Sequence, residues 1–248
     1  MCFRGKVDAV IDPGAIAANL ARVHERIAAA ARAAGGNSQS ITLVAVSKTQ
    51  PAAAIRAAYA AGQRDFGENY VQEWQQKAAE LADLPDLRWH VLGHLQRNKV
   101  KLVLGKVALL HGLDDMQGLD EMARFAWQAK VSQDVLLQVN LAEEASKRGC
   151  GENDAELFVE VLARSPGLRL RGLMLLPPFD LDAVAVRPWF ARLRGLRDRL
   201  QVTYAGTPNL PSAGQWWLSM GMSHDFEVAV AEGATHVRVG TAIFGPRT

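Results

Sequence analysis

Apolar positions recur along this chain with two different periods. Ile16, Leu20, Val23 and Ile27 follow one another at steps of four, three and four, one face of a helix in an Ala-rich segment, so the spacing predicts a first helix over about 14–34. Gly35, Gly36 and Asn37 stop it. The next run, Ile41-Thr-Leu-Val-Ala-Val46, is rich in β-branched residues and lacks polar alternation, as expected of a parallel strand buried on both faces. Helical and strand-like segments then alternate: a helix from Pro51, a strand near Asp65-Phe66-Gly67, a helix over 70–82, a strand over 88–92, a helix over 96–104, a strand over 108–111 and a helix over 117–130. The rhythm continues with Val135-Leu-Leu-Gln-Val-Asn140, a helix carrying Leu157, Phe158, Val161 and Leu162, a strand over 168–175, and a helix with Phe190, Leu193, Leu196 and Leu200. After the Gly/Pro-rich stretch 205–214, which reads as a loop, come strand-like Trp217-Leu-Ser-Met220, a short helix from His224, and Thr235-His-Val-Arg-Val239.

This pattern counts eight strands, each followed roughly by a helix. That number closes a (β/α)8 barrel, although a doubly wound open sheet has much the same local pattern. Periodicity therefore specifies an α/β fold and leaves closure open. No composition shift, long repeat or low-complexity tract divides the chain, so residues 1–248 read as one domain, with the barrel over about 41–245.

Composition narrows the function. At 49% hydrophobic and 22% charged residues the chain can bury a large core, which removes the disordered and fibrous classes. Twenty-eight Lys plus Arg against 26 Asp plus Glu leave a net charge of +2, too small an excess for a nucleic-acid partner. Cys2 and Cys150 form neither a disulfide framework nor a metal-ligand spacing, which suits a reducing cytoplasm. No apolar run approaches the ~18 residues of a membrane span, and MCFRGKVDAV is too short and polar for a secretory signal. A soluble cytoplasmic protein with no membrane partner is the expectation.

In either α/β architecture ligands gather where strands end, so the polar residues just after each apolar run carry the chemistry. Lys48, in Ala45-Val-Ser-Lys-Thr-Gln-Pro51, stands at the end of the first strand; it reads either as a desolvated amine able to form a Schiff base or as an exposed strand-end lysine. Phe66-Gly-Glu-Asn-Tyr70 offers Asn69 to a ring substituent, or merely a turn and a helix cap. His90, in Trp89-His-Val-Leu-Gly-His-Leu-Gln-Arg-Asn-Lys99, is by itself more readily a core or rim histidine than a catalyst. His24, His111, His224 and His236 show no ligand spacing and no paired nucleophile, so neither a metal site nor a hydrolase is expected.

Most informative are Leu218-Ser-Met-Gly-Met-Ser-His-Asp225 and Val237-Arg-Val-Gly-Thr-Ala-Ile-Phe-Gly245, each a strand followed by glycine and a hydroxyl. Glycine lets backbone N–H groups point into a shared cavity, hydroxyls add donors, and a helix start adds partial positive charge, which together make a phosphate site. Closed α/β barrels commonly build that site after strands seven and eight. Arg238, between two valines, needs an acceptor; it reads equally as a ligand contact or as a salt bridge to Glu68 or Asp225.

Taken together, AVSKTQP, FGENYVQE, WHVLGHLQRNK, QVNLAEEASKRG, RGLMLLPP, LSMGMSHDF and HVRVGTAIFG are more specific than any one of them, and with them the chain resembles the YggS/PROSC family of pyridoxal phosphate homeostasis proteins from about Ile41 to Gly245. The resemblance implies a single (β/α)8 TIM barrel of the alanine-racemase N-terminal-domain type (PLP fold type III) without a C-terminal β-domain. It also implies pyridoxal 5'-phosphate (PLP) as cofactor, joined to Lys48 as a Schiff base. By motif, Ser223, Gly240 and Thr241 would hold the phosphate, Arg238 would face the pyridine nitrogen, and Asn69 and His90 would line the cofactor. A guanidinium there leaves the pyridine nitrogen unprotonated and weakens the ring as an electron sink.

The implied function is intracellular PLP homeostasis. The protein would hold PLP reversibly and buffer it or supply it to PLP-dependent apo-enzymes, without robust catalysis and as a monomer. Related racemases add a β-domain and a tyrosine on the opposite face of the substrate; here only Tyr70 lies near a strand end, whereas Tyr59 and Tyr204 fall in or beside helices. A PLP-dependent racemase-like enzyme is the alternative, and a cofactor-free Schiff-base lyase acting on a sugar phosphate is a third reading. The chain departs from the family pattern at 205–216, at His94 and at Leu175-Leu176, which bears on loop shape.

Overall fold

The computed structural model describes residues 11–142, 148–178 and 181–246. The segment MCFRGKVDAV and residues 143–147 of the QVNLAEEASKRG motif lie outside the described residues. Helix α1 (Pro13–Ala33) begins where the Asp12 carboxylate accepts hydrogen bonds from Gly14 N and Ala15 N, and its buried face is Ile16, Leu20, Val23, Ile27 and Ala31, the stripe expected from their spacing.

Eight parallel strands then alternate with helices and close on themselves in the order β1 to β8. The strands are β1 (Thr42–Val46), β2 (Asp65–Glu68), β3 (Arg88–Val91), β4 (Leu109–Leu113), β5 (Gln133–Val139), β6 (Leu168–Leu175), β7 (Trp217–Ser219) and β8 (His236–Val239). Closure is the pairing of β1 with β8, in which Leu43 aligns with Val237 and Val44 with Arg238. The open-sheet alternative is thereby excluded.

The intervening helices are α2 (Ala52–Ala60), α3 (Val71–Glu80), α4 (Val100–Val103), α5 (Met116–Ala129), α6 (Ala155–Arg164), α7 (Arg187–Thr203), α8 (Phe226–Ala231) and α9 (Thr241–Phe244). The apolar residues that alternate outward from the strands meet the helices in one continuous core. Inside the barrel a smaller apolar cluster of Leu109, Leu136 and Met174 packs with Trp217. None of the described helices is long and apolar enough to cross a membrane.

Two expected elements come out shorter. The helix expected over 96–104 is a 3-10 turn, Arg97–Lys99, followed by a single turn of α-helix, because Leu104 adopts extended backbone and Gly105 a positive φ of 77° as the chain swings toward β4. The helix expected from His224 begins at Phe226, because the Asp225 carboxylate accepts a hydrogen bond from Met222 N at 2.5 Å and holds residues 222–225 as a turn.

Candidate functional site at the C-terminal mouth of the barrel

The loops after β7, β8, β1 and β2 are neighbours around the ring, since β1 pairs with both β2 and β8 and β7 pairs with β8. They carry Ser223, Gly240 with Thr241, Lys48 and Asn69 respectively, so the fold gathers these expected site residues in one sector of the C-terminal mouth.

Lys48 is half-buried and lies two residues beyond the last residue of β1 rather than within the strand. Its flanks are held hard. Ser47 is fully buried; its N–H donates to Gly67 O at 3.0 Å, and its hydroxyl donates to Glu68 Oε1 at 2.7 Å. On the other side Thr49 has a φ of 67°, a left-handed conformation that a β-branched residue adopts only under constraint. Its N–H donates to Glu73 Oε1 at 2.5 Å. Both flanks converge on Lys77 of α3, a buried ammonium that donates to Ser47 O at 2.7 Å, Glu68 Oε1 at 2.7 Å and Glu73 Oε1 at 2.6 Å. Burial pushes the Glu68 carboxyl up from its ordinary value, against the pull of Lys77 and Ser47. This clamp was not legible in the sequence: the Glu73–Lys77 spacing of four residues suggests only a surface helix pair.

The expected phosphate residues meet as one cradle. Ser223 Oγ accepts hydrogen bonds from Gly240 N at 3.2 Å and Ala242 N at 3.4 Å, joining the two glycine loops through backbone donors at the start of α9. Gly240 lies so close to β1 that an added Cβ would stand 3.2 Å from Val46 O, which sets the cradle directly beside the Lys48 turn. Gly221, at a φ of 91°, is obligatory, since a Cβ there would lie 2.6 Å from Ala229 Cβ. Thr241 is exposed at the first position of α9. Asn69 is half-buried just past β2, and its side chain makes no hydrogen bond to another described residue.

Arg238 is buried in β8, with Nη1 donating to Ser219 Oγ at 2.6 Å and Nη2 to Leu175 O at 2.9 Å. The salt bridge to Glu68 or Asp225 considered from the sequence is not made: Glu68 is engaged by Lys77, and Asp225 caps Met222 N and pairs with His224. Burial lowers the Arg238 guanidinium to about 10, which leaves it charged at neutral pH. Its remaining N–H groups are donors only, so it cannot take up a proton from a facing atom.

His90 belongs to the barrel interior. Its Nε2 lies 3.0 Å from Asp65 Oδ1 and its Nδ1 lies 2.9 Å from His111 Nε2, so both ring nitrogens are engaged inside the core, and its connection to the mouth runs through His111 and Ser219. Sequence spacing assigns no role to His111 or Ser219. The signal that could have found them is a polar residue at an inward strand position. Elsewhere on the mouth His94, Asp114 and Asp115 come within metal-ligand reach of one another, but His94 Nδ1 already lies 2.7 Å from Asp114 Oδ1 and the Arg148 guanidinium stands 3.7 Å from Asp114.

The family model described as "Alanine racemase, N-terminal domain" matches residues 11–248. A protein of Aquifex aeolicus named pyridoxal phosphate homeostasis protein is 47% identical over 229 residues, which cover 92% of this chain and 96% of that one. The structure of PipY of Synechococcus elongatus with PLP bound matches with a TM-score of 0.80 and 41% identity, over 93% of this chain and 100% of that one. An alanine racemase of Corynebacterium glutamicum, at 16% identity, shares the fold with a TM-score of 0.67 over 95% of this chain and 62% of its own. With its closed barrel, its clamped strand-end lysine and relatives alike over nearly their whole length, the chain belongs to the family of pyridoxal phosphate homeostasis proteins, on the fold of the alanine racemase N-terminal domain.

Proposed function

We propose that this protein binds PLP reversibly at the C-terminal mouth and serves PLP homeostasis rather than turnover of a substrate. The observation that carries this reading is the union, in four neighbouring loops, of a clamped lysine turn with a backbone-and-hydroxyl cradle joined by Gly240. The residues fit the group. The Ser223 and Thr241 hydroxyls supply donors suited to a phosphate dianion, Gly240 lets it approach the backbone closely, and the donor set of Arg238 suits an aromatic nitrogen that accepts but carries no proton. When bound, PLP supplies an aldehyde and an electron-withdrawing ring.

Lys48 would hold the cofactor through its amine, and the aldehyde would supply a linkage that water can undo, so that the cofactor could be released intact. Asn69, in the neighbouring loop, would line the cofactor, and His90 would act on the site only through the interior chain that ends at Arg238. Arg238 withholds a proton from the pyridine nitrogen, which disfavours carbanion chemistry. Of the tyrosines, Tyr59 bonds to Asp86 and Tyr204 to Glu160 on the outer helices, while Tyr70 is exposed at the mouth; this arrangement favours holding over two-faced acid–base catalysis. We place the protein in the cytoplasm as a monomer that yields PLP to apo-enzymes.

The test is an absorbance scan of purified protein with added PLP, before and after borohydride, with mass spectrometry of the Lys48 peptide and an amino-acid racemisation assay on the same sample. A Lys48 adduct that is absent in Lys48→Ala, without racemisation, supports the carrier. Racemisation promotes the enzyme alternative, and absence of the adduct removes the basis of both.

A further inference from the structure

A line of buried polar side chains runs through the barrel from its N-terminal rim toward the C-terminal mouth. It starts at Asp65, the first residue of β2, whose carboxylate receives Arg88 Nε at 2.7 Å and Arg88 Nη2 at 2.6 Å at the N-terminal rim. It continues through His90 Nε2 at 3.0 Å from Asp65 Oδ1, His90 Nδ1 at 2.9 Å from His111 Nε2, and His111 Nδ1 at 2.8 Å from Ser219 Oγ. It ends at Arg238 Nη1, which donates to the same Ser219 oxygen at 2.6 Å. His90, His111, Ser219 and Arg238 are all buried.

The chemistry of these groups permits one direction of donation. An ionised carboxylate only accepts, so His90 Nε2 carries hydrogen, and in the neutral ring its Nδ1 then accepts. His111 must donate to that nitrogen from Nε2, which leaves His111 Nδ1 as an acceptor. Ser219 must therefore donate its hydroxyl hydrogen to His111 and accept from Arg238. Were His111 to donate from Nδ1 instead, the Ser219 hydroxyl hydrogen would be buried without an acceptor among the described residues, a costly omission.

We propose that Ser219, His111 and His90 form a one-way hydrogen-bond relay that fixes the Arg238 guanidinium against the ligand site, with the Asp65 carboxylate as its terminal acceptor. Each member of the relay turns its acceptor atom toward Arg238 and its donor toward Asp65, so the relay orients the cation and favours its charge in a buried place. Ser219, His111 and His90 are positioning residues, coupled to an ion pair at the opposite end of the barrel. The first arm of the test stands by itself, and the second rests on the PLP reading.

In the first arm, nitrogen-15 NMR of the cofactor-free protein reads the imidazoles directly. The expected result is that His90 and His111 are both neutral Nε2–H tautomers at neutral pH. An Nδ1–H tautomer or an imidazolium at either position overturns the relay. In the second arm, Ser219→Ala and His111→Leu are each expected to shift the visible band of the Lys48 adduct and to speed PLP release, His111→Leu about two- to tenfold, the effect of one neutral hydrogen bond. The double variant should release PLP no faster than the singles, and His111→Gln, which keeps one donor and one acceptor, should restore the parental rate. Parental band and rate in both single variants overturn the positioning role. Absence of the adduct in the parent instead overturns the PLP reading, with the tautomer result unaffected.

Discussion

Replacing Lys77 by methionine keeps most of the side chain, short of its terminal atom, and removes its charge. In the parent the ammonium bridges Ser47 O, Glu68 Oε1 and Glu73 Oε1 from within the core, and Glu68 is fully buried. Without Lys77 the Glu68 carboxylate keeps the Ser47 hydroxyl as its sole described partner, since its Oε2 makes no hydrogen bond. Removing one member of a buried ion pair costs about 3–5 kcal/mol, mostly because of the charge left behind. For a chain of this size, roughly 2–4 °C per kcal/mol predicts a fall in melting temperature of about 6–20 °C.

The pH dependence has a definite sign. Burial already raises Glu68 above its ordinary value of 4.5, and loss of Lys77 raises it further, so the folded variant binds a proton that the unfolded chain has released. Stability then falls as pH rises above the unfolded value. The deficit of Lys77→Met should therefore be small near pH 4.5 and full at neutral pH. Glu68→Gln added to Lys77→Met should bring stability back to within about 1–2 kcal/mol of the parent, the remainder being lost hydrogen bonds. Urea titrations of parent, single and double variants at both pH values measure this. A deficit that is independent of pH, or a double variant no more stable than Lys77→Met, would refute the reasoning.

Further outcomes follow from the same geometry. Ser223→Ala should speed PLP release about 10- to 150-fold, the equivalent of a charge-assisted hydrogen bond of about 1.5–3 kcal/mol; equal release rates would count against the cradle. Gly221→Ala should cost at least about 1–3 kcal/mol of stability in denaturant titration, because it forces a side chain into a left-handed backbone against Ala229. For Asp65 burial alone would raise the carboxyl, but the hydrogen bonds from Arg88 and His90 outweigh it and hold it at about 2. That contribution is present above the ordinary carboxylate value and is lost as pH falls toward 2, so Asp65→Asn should flatten the acid limb of the stability profile.

The alternation of apolar runs and the loop chemistry were legible in the sequence because both are local. Strand β6 was expected over the residues it occupies, and the buried face of α1 follows from its periodicity. The two glycine-hydroxyl loops were expected to come together, and they do, through the hydrogen bonds of Gly240 N and Ala242 N to Ser223 Oγ.

The sequence could not show that the ring closes, because an open sheet has the same period of apolar residues; only the pairing of β1 with β8 decides it. It could not separate a ligand arginine from a salt-bridged one, because the partners of Arg238 are Ser219 and Leu175, far away in the chain and joined to it by strand register. Nor could it show that Lys77, spaced as a surface helix residue, lies buried behind the Lys48 turn. Local propensity and periodicity follow from neighbours along the chain. Burial, charge pairing and tautomer depend on which strands stand side by side, and that is settled only when the barrel closes.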